Sequence, residues 1–317
     1  MSLDAVTIYP VRIPMTVRFR RVTWREAILM RGPAGWGEFS PFPDYPPEVT
    51  ARWLASALDS AVSQPPKAVR ASIPVNVTVP AVEPDIARRI VAESGCRTAK
   101  VKVAEPGEDR DTDLARVAAV RDALGPEGRL RVDVNAAWTV SDAAERINEL
   151  DWFGLEYVEQ PVASIDEMIE LRRLVNVPIA ADEVVRLSAD PMEVVRRGAA
   201  DLLVLKVQPL GGVTRTLDLA RRSKMPVVIS SALETSVGLA AGLRAAAALP
   251  VLPFDCGLAT AVLLAGDVTT EPLLPESGSI EVRDIEPDPD LLATWQADPE
   301  TESRLLRRLR QAAELLT

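Results

Sequence analysis

The sequence predicts an α/β protein built on a closed (β/α) barrel, with a smaller α+β piece ahead of it. Three observations carry that prediction. From about residue 73 onward, short and nearly all-apolar runs alternate with amphipathic stretches at helical spacing. Strands that read as continuous apolar runs belong to a parallel sheet buried on both faces. There are eight such runs with seven stretches between them, and eight repeats favour a closed barrel over an open doubly wound sheet. No G-x-G-x-x-G follows the first run and no P-loop occurs, so dinucleotide-binding and NTPase folds are poor readings.

The elements follow in chain order. Residues 5–13 (AVTIYPVRI) and 25–31 (REAILMR) alternate as strands do, and GPAGWGE at 32–38 reads as a turn. A helix is expected after Pro46-Pro47, through ARWLASALDSAV, and Pro65-Pro66 ends that piece. The barrel strands are expected at 75–79, 99–103, 130–134, 155–159, 178–182, 202–206 and 226–230, with a weaker eighth at 249–255 (LPVLPFD). Segments such as PDIARRIVAES, DLARVAAVRDAL and SDAAERINEL lie between them, each starting at or near a cap or turn residue. The tail from about 268 lacks the barrel pattern, ends in a helix (ETESRLLRRLRQAAELL) and is expected to pack back on the N-terminal piece.

Composition narrows the chemistry. The chain has 317 residues, 47% hydrophobic and 26% charged, which suits one large domain or one large plus one small. Net charge is −10 with no basic stripe, so nucleic-acid binding is not expected. No apolar run is long enough to span a bilayer and the N-terminus is unlike a signal peptide, so the expectation is a cytoplasmic protein without a membrane partner. Two cysteines, Cys96 and Cys256, make neither a disulfide framework nor a thiolate zinc site. There is no histidine. That removes Ser-His-Asp triads, imidazole acid/base work and histidine metal sites. Of 36 basic residues only five are Lys: Lys67, Lys100, Lys102, Lys206 and Lys224. Where Arg is the default cation, a Lys hints at a base that can lose its proton.

The C-terminal ends of barrel strands form the active face of such folds. Here they read Lys100-Val101-Lys102, Asp133-Val134-Asn135, Glu159-Gln160, Asp182-Glu183, Lys206 and Ser230-Ser231. From Lys102 to Lys206 the steps are 31, 26, 23 and 24 residues, each about one βα unit. Charged groups therefore recur at one height, in the order Lys, acid, acid, acid, Lys. Three carboxylates on adjacent strands make an oxygen-rich site suited to a hard divalent cation such as Mg²⁺ rather than zinc. The two lysines face each other across the barrel. Such a site suits removal of a proton α to a carboxylate, with Lys100 and a metal ion lowering the pKa of Lys102. Ion pairs of alternating sign at a barrel rim are the plain alternative, disfavoured by six consecutive polar or charged strand ends.

At these residues the sequence resembles the enolase superfamily, within it the muconate lactonising subgroup. The resemblance covers nearly the whole chain. It implies an α/β fold with a modified (β/α)7β TIM-type barrel at 73–267. It also implies an N-terminal α+β capping domain at 1–72, completed by a C-terminal segment at 268–317. Asp133, Glu159 and Asp182 would ligate Mg²⁺, for which Mn²⁺ can substitute. Lys102 and Lys206 would be the acid/base pair, with Lys100 supporting, and the missing His excludes the branch with a His-Asp dyad. The compact length, SSALETSVG (230–238) and CGLATAVLLAGDV (256–268) resemble the branch that performs a syn dehydration of a cyclohexadiene carboxylate. There Lys102 would take the α-proton and return it to the departing hydroxide, while Lys206 stays charged and holds the ring by a cation–π contact. Gly212, Ser230, Ser231 and Arg20 would touch the small carboxylate substrate. The cap segment MTVRFRRVTW (15–24) would close over it with Arg18, Arg20 and Arg21, and the Gly35-x-Gly37-Glu38 cap turn would be structural. An N-acylamino acid racemase, a dipeptide epimerase or a cycloisomerase would use the same lysines, and a non-catalytic barrel is the remaining alternative. The single acid in Phe254-Asp255-Cys256 weakens the dipeptide reading, which usually needs D-x-D there.

Overall fold

A computed structural model describes residues 3–19 and 22–316. Three antiparallel strands, β1 (Thr7–Phe19), β2 (Val22–Gly32) and β3 (Gly35–Phe39), form one sheet in the order β1-β2-β3. The segment 32–38 is thus more than a turn: Gly35 to Phe39 pair with β2, Gly32 opposite Gly35. Within 15–24, the described residues 15–19 and 22–24 are strand, in β1 and β2. Helix α1 (Pro47–Val62) packs on this sheet through Trp53, Leu54, Ala57, Leu58 and Ala61. It starts with Pro in its first turn, where the missing N–H costs nothing. The approach is close: a Cβ on Gly37 would lie 2.0 Å from the Ala57 carbonyl oxygen.

Strand β4 (Ser72–Pro74) pairs antiparallel with a late strand introduced below. The barrel proper follows as β5 (Val77–Val79), β6 (Thr98–Lys102), β7 (Arg129–Asp133), β8 (Leu155–Glu159), β9 (Ile179–Ala181), β10 (Leu202–Lys206) and β11 (Val227–Ser230). Among the described residues these make one parallel sheet in sequential order. The expected eighth strand at 249–255 does not form. Pro250 and Pro253 cannot donate to a ladder, so closure falls one step later. There Cys256 bridges to Val75 and Gly257 to Ser230, with Cys256 N–H donating to Pro74 O at 2.8 Å and Gly257 N–H to Ile229 O at 2.9 Å.

The helices on the outside are α2 (Pro84–Ser94), α3 (Arg110–Leu124), α4 (Val140–Leu150), α5 (Ile165–Leu171), the short pair α6 (Glu183–Arg186) and α7 (Glu193–Arg196), then α8 (Val207–Leu210), α9 (Val213–Ser223) and α10 (Ser236–Ala248). Their starts are written in the sequence. Asp109 accepts from Thr112 N–H, Thr139 from Asp142 N–H, and Ser164 with Glu167 forms a full capping box. The late strand β12 (Ser279–Glu281) pairs with β4. Helices α11 (Pro289–Thr294) and α12 (Pro299–Glu314) follow. Helix α12 lays Leu305, Leu309 and Ala312 into the same apolar cluster as Ile28, Phe39, Trp53 and Leu58. Arg304 adds two hydrogen bonds to Glu26, both 2.8 Å.

Candidate active site

Register puts the strand-end charges side by side. Lys102 is the Cα partner of Asp133, and Asp133 of Glu159. Because strand side chains alternate, Lys100 and Lys102 point into the barrel together, as do Arg131 and Asp133. Arg131 fills the layer below the site. It is fully buried, donates to Glu156 at 2.6 Å and to Asn76 Oδ1 at 2.9 Å, and stacks over Tyr157.

Above that layer lies a cavity enclosing about 390 Å³ of space between atoms. Its wall includes Lys100, Lys102, Asp133, Lys206, Ser230 and Ser231. Glu159 and Asp182, both fully buried, sit behind the lysines. Lys102 Nζ donates to Asp133 Oδ2 at 2.6 Å and to Asn135 Oδ1 at 2.5 Å. Lys100 Nζ donates to Glu159 Oε2 at 2.8 Å and lies 3.2 Å from Asp133 Oδ2. Lys206 Nζ donates to Asp182 Oδ2 at 2.6 Å, whose Oδ1 accepts from Arg186 Nε at 2.9 Å.

The surroundings split the two lysines of β6. Burial lowers the pKa of Lys102 and the Lys100 cation lowers it further; Asp133 opposes without winning. Burial also works against the Lys100 cation, but the charges of Glu159 and Asp133 outweigh it and hold Lys100 protonated. Asp133, despite burial, is kept well below the usual carboxylate range by Lys102, Lys100 and Lys206. Glu159 goes the other way, pushed up to about 7 by burial and by the charge of Asp133.

Does this site fit a divalent cation? Among the described residues the acids do not close round one point, because each is drawn to an ammonium instead. The donor set nonetheless fits. All of it is carboxylate oxygen, and Glu159 Oε1 is buried with no hydrogen-bond partner. Leaving such an atom unpaired costs about 1–3 kcal/mol, more for a charged group. The acids Asp133, Glu159, Asp182 and Glu183 balance the cations Lys100, Lys102, Lys206 and Arg186. A divalent ion and a dianionic ligand would arrive as a neutral pair.

The remaining expected residues divide. Ser231 Oγ lies 2.7 Å from Thr260 Oγ1, and Ser230 Oγ donates to Gly257 O at 3.4 Å, both on the cavity wall. Gly212 stands elsewhere, at the start of α9, where a Cβ would lie 2.8 Å from Asp59 Oδ2 of α1. Its backbone φ is 117°, so its glycine is explained by conformation and packing. Arg20 and Arg21 lie outside the described residues, and Arg18 is exposed. The cap segment expected to close over the site, 15–24, reaches the wall through Phe19, 5.2 Å from Lys102 Nζ at its ring centroid, while Phe42, also on the wall, lies outside that segment. The sequence did not reveal Arg25, buried, donating to the carbonyls of Leu233 and Ala232 at 2.8 and 3.1 Å and so fixing the loop after β11. Asn135 and Glu183 were visible only as neighbours of the acids.

Comparison with known proteins places the chain in a family. Residues 84–289 match the family model described as enolase C-terminal domain-like, and residues 10–61 the enolase N-terminal domain-like model. The chain is 56% identical over 302 residues to the o-succinylbenzoate synthase of Thermobifida fusca, covering 95% of each chain. It is 50% identical over 311 residues to that of Mycobacterium marinum, covering 98% of this chain and 94% of the relative. Among solved structures, the muconate lactonizing enzyme of Pseudomonas fluorescens complexed with muconolactone superposes with a TM-score of 0.77 at 22% identity, over 92% of this chain and 98% of that one. That likeness speaks for the fold.

Proposed function

The chain belongs to the enolase superfamily, and from that premise we infer that it is an o-succinylbenzoate synthase, a carbon–oxygen hydro-lyase. It dehydrates 2-succinyl-6-hydroxy-2,4-cyclohexadiene-1-carboxylate in menaquinone biosynthesis. The identity of about half the residues over nearly the full length of both chains supports the substrate. The observation that carries the chemistry is geometric: Lys102 and Lys206 both line one cavity, each donating to a buried carboxylate at 2.6 Å.

The steps then follow from the residues. Lys102 takes the proton at C1, α to the ring carboxylate. The C–H electron pair moves toward that carboxylate. As it returns, the C6–O bond breaks on the same face, and the Lys102 ammonium gives its proton to the leaving hydroxide. The products are water and an aromatic ring. Lys206, on the opposite wall and donating to Asp182 at 2.6 Å, is placed to stabilise the developing anion. Asp133, Glu159 and Asp182 would hold Mg²⁺ or Mn²⁺, which when bound supplies positive charge at the substrate carboxylate. Ser230 and Ser231 offer hydroxyls on the same wall.

The dipeptide alternative loses its remaining acid. Asp255 accepts from Thr98 Oγ1 and lies 3.3 Å from Arg129 Nη1, both at the N-terminal ends of their strands and away from Lys102. Purified protein with Mg²⁺ should convert the cyclohexadiene carboxylate to the aromatic product, followed by ultraviolet absorbance. Conversion of N-succinylamino acids with no dehydration would overturn the assignment in favour of a racemase.

A further inference from the structure

Lys102 has two hydrogen-bond acceptors, and they differ in kind. Asp133 is an anion that favours the ammonium, and it is also a proposed metal ligand. Asn135 is neutral, and can hold the amine in either protonation state without pinning its proton. Its amide orientation is fixed from behind. Oδ1 faces Lys102 at 2.5 Å, while Nδ2 donates to Glu183 Oε1 at 3.0 Å. An ammonium on one side and a carboxylate on the other allow only that orientation. Glu183 is itself held by Arg186 Nη2 at 2.5 Å, and Arg186 Nη1 bonds the hydroxyl of Tyr45 in the cap. Asn135 sits at φ 49°, in the left-handed region that Asn adopts more readily than most side chains, next to Ala136 at φ 64°.

We propose that Asn135, clamped by Glu183, is a positioning residue that aims the Lys102 amine at the substrate. The inference rests on Lys102 being the base. The amide never touches the reacting atoms; it acts through the lysine. Misplacement of a reacting group by about 1 Å can cost on the order of 100-fold in rate.

The test uses the intact enzyme with Mg²⁺ and three variants. Asn135→Gly tolerates φ 49° and removes only the amide; it should lower kcat by about 30- to 100-fold with KM and the Mg²⁺ concentration dependence within about 3-fold. Asn135→Asp keeps an acceptor for Lys102 but sets a carboxylate against Glu183, and should be slowed about 10-fold or more. Adding Glu183→Gln to Asn135→Asp restores one donor between the pair, and should recover most of that loss. Asn135→Gly within about 2-fold of wild type would overturn the proposal, as would Asn135→Asp that is fully active or a double variant that is slower still. If Asn135→Gly fails to fold, the Asn135→Asp pair decides alone. Lys102→Ala run alongside separates the two levels. If it is inactive while Asn135→Gly is normal, only the positioning role fails; if it is active, the base assignment and the positioning role fall together.

Discussion

Lys102 and Lys206 are both lysines on a barrel rim, yet the proposed reaction asks different things of them. One must give up and regain a proton; the other must keep its charge. Lys102→Arg should therefore be nearly as inactive as Lys102→Ala, since guanidinium stays protonated. Lys206→Ala should also lose most turnover, but by losing charge stabilisation. Solvent deuterium separates this from racemisation: a racemase lacking Lys102 would still exchange the α-proton of one enantiomer of an N-succinylamino acid, and one lacking Lys206 that of the other. A second residue-scale prediction concerns Glu38 of β3. It is buried, accepts from Thr235 N–H at 3.1 Å and Gly238 N–H at 3.0 Å, and faces Glu234. Burial and the Glu234 charge push its pKa up to about 7 from near 4.5. The native state thus holds a proton that the unfolded chain has lost between those values, so this contribution is full below about pH 4.5 and fades as pH rises through 7. Glu38→Gln should gain on wild type by up to about 3 kcal/mol between pH 5 and 8, read from urea melts. At this scale the sequence was legible where charge followed an apolar run: Lys102, Asp133 and Lys206 all reach one cavity or its wall. Arg25 was not legible, because its partners are backbone carbonyls, two of them about 200 residues away, which leave no mark on composition or spacing.

Elements were readable in proportion to how local their causes are. Helices α3, α4 and α5 begin at side chains that cap their own first turns, so three or four residues suffice to find them. Strand β3 reads as a turn because two of its five residues are glycines, a poor strand composition. The reason for Gly37 is tertiary: α1 lies where a Cβ would be. The same holds for the misplaced eighth strand, whose position is set by which backbone meets Val75 and Ser230. Gly37→Ala should force α1 away from β3 and destabilise the cap by about 3 kcal/mol. Chemical denaturation should show it, while Gly35→Ala, at φ 138° with nothing near its Cβ position, should cost strain alone. Equal losses from the two would argue against close α1 packing as the cause.

Across the whole molecule, charge balance at the barrel mouth separates activity from stability. Four acids and four cations neutralise one another there, and Arg131 closes the layer beneath. Exhaustive chelation should abolish turnover, Mg²⁺ or Mn²⁺ should restore it, and the melting temperature should move by only a few degrees. Full activity after chelation, or global unfolding on chelation, would contradict this account. Helix α12 carries one more consequence, about time. A nascent chain that has reached residue 257 holds every backbone segment of the barrel. It still lacks the helix that covers Trp53 and Leu58, and Arg308, which donates to the carbonyls of Phe42 and Tyr45. Tyr45 in turn bonds Arg186 behind the site. At roughly 5–20 residues per second, ribosomal synthesis leaves several seconds between a finished barrel and a finished enzyme. In that interval the cap's apolar face lies uncovered, the kind of transiently exposed surface that makes a folding chain prone to aggregate.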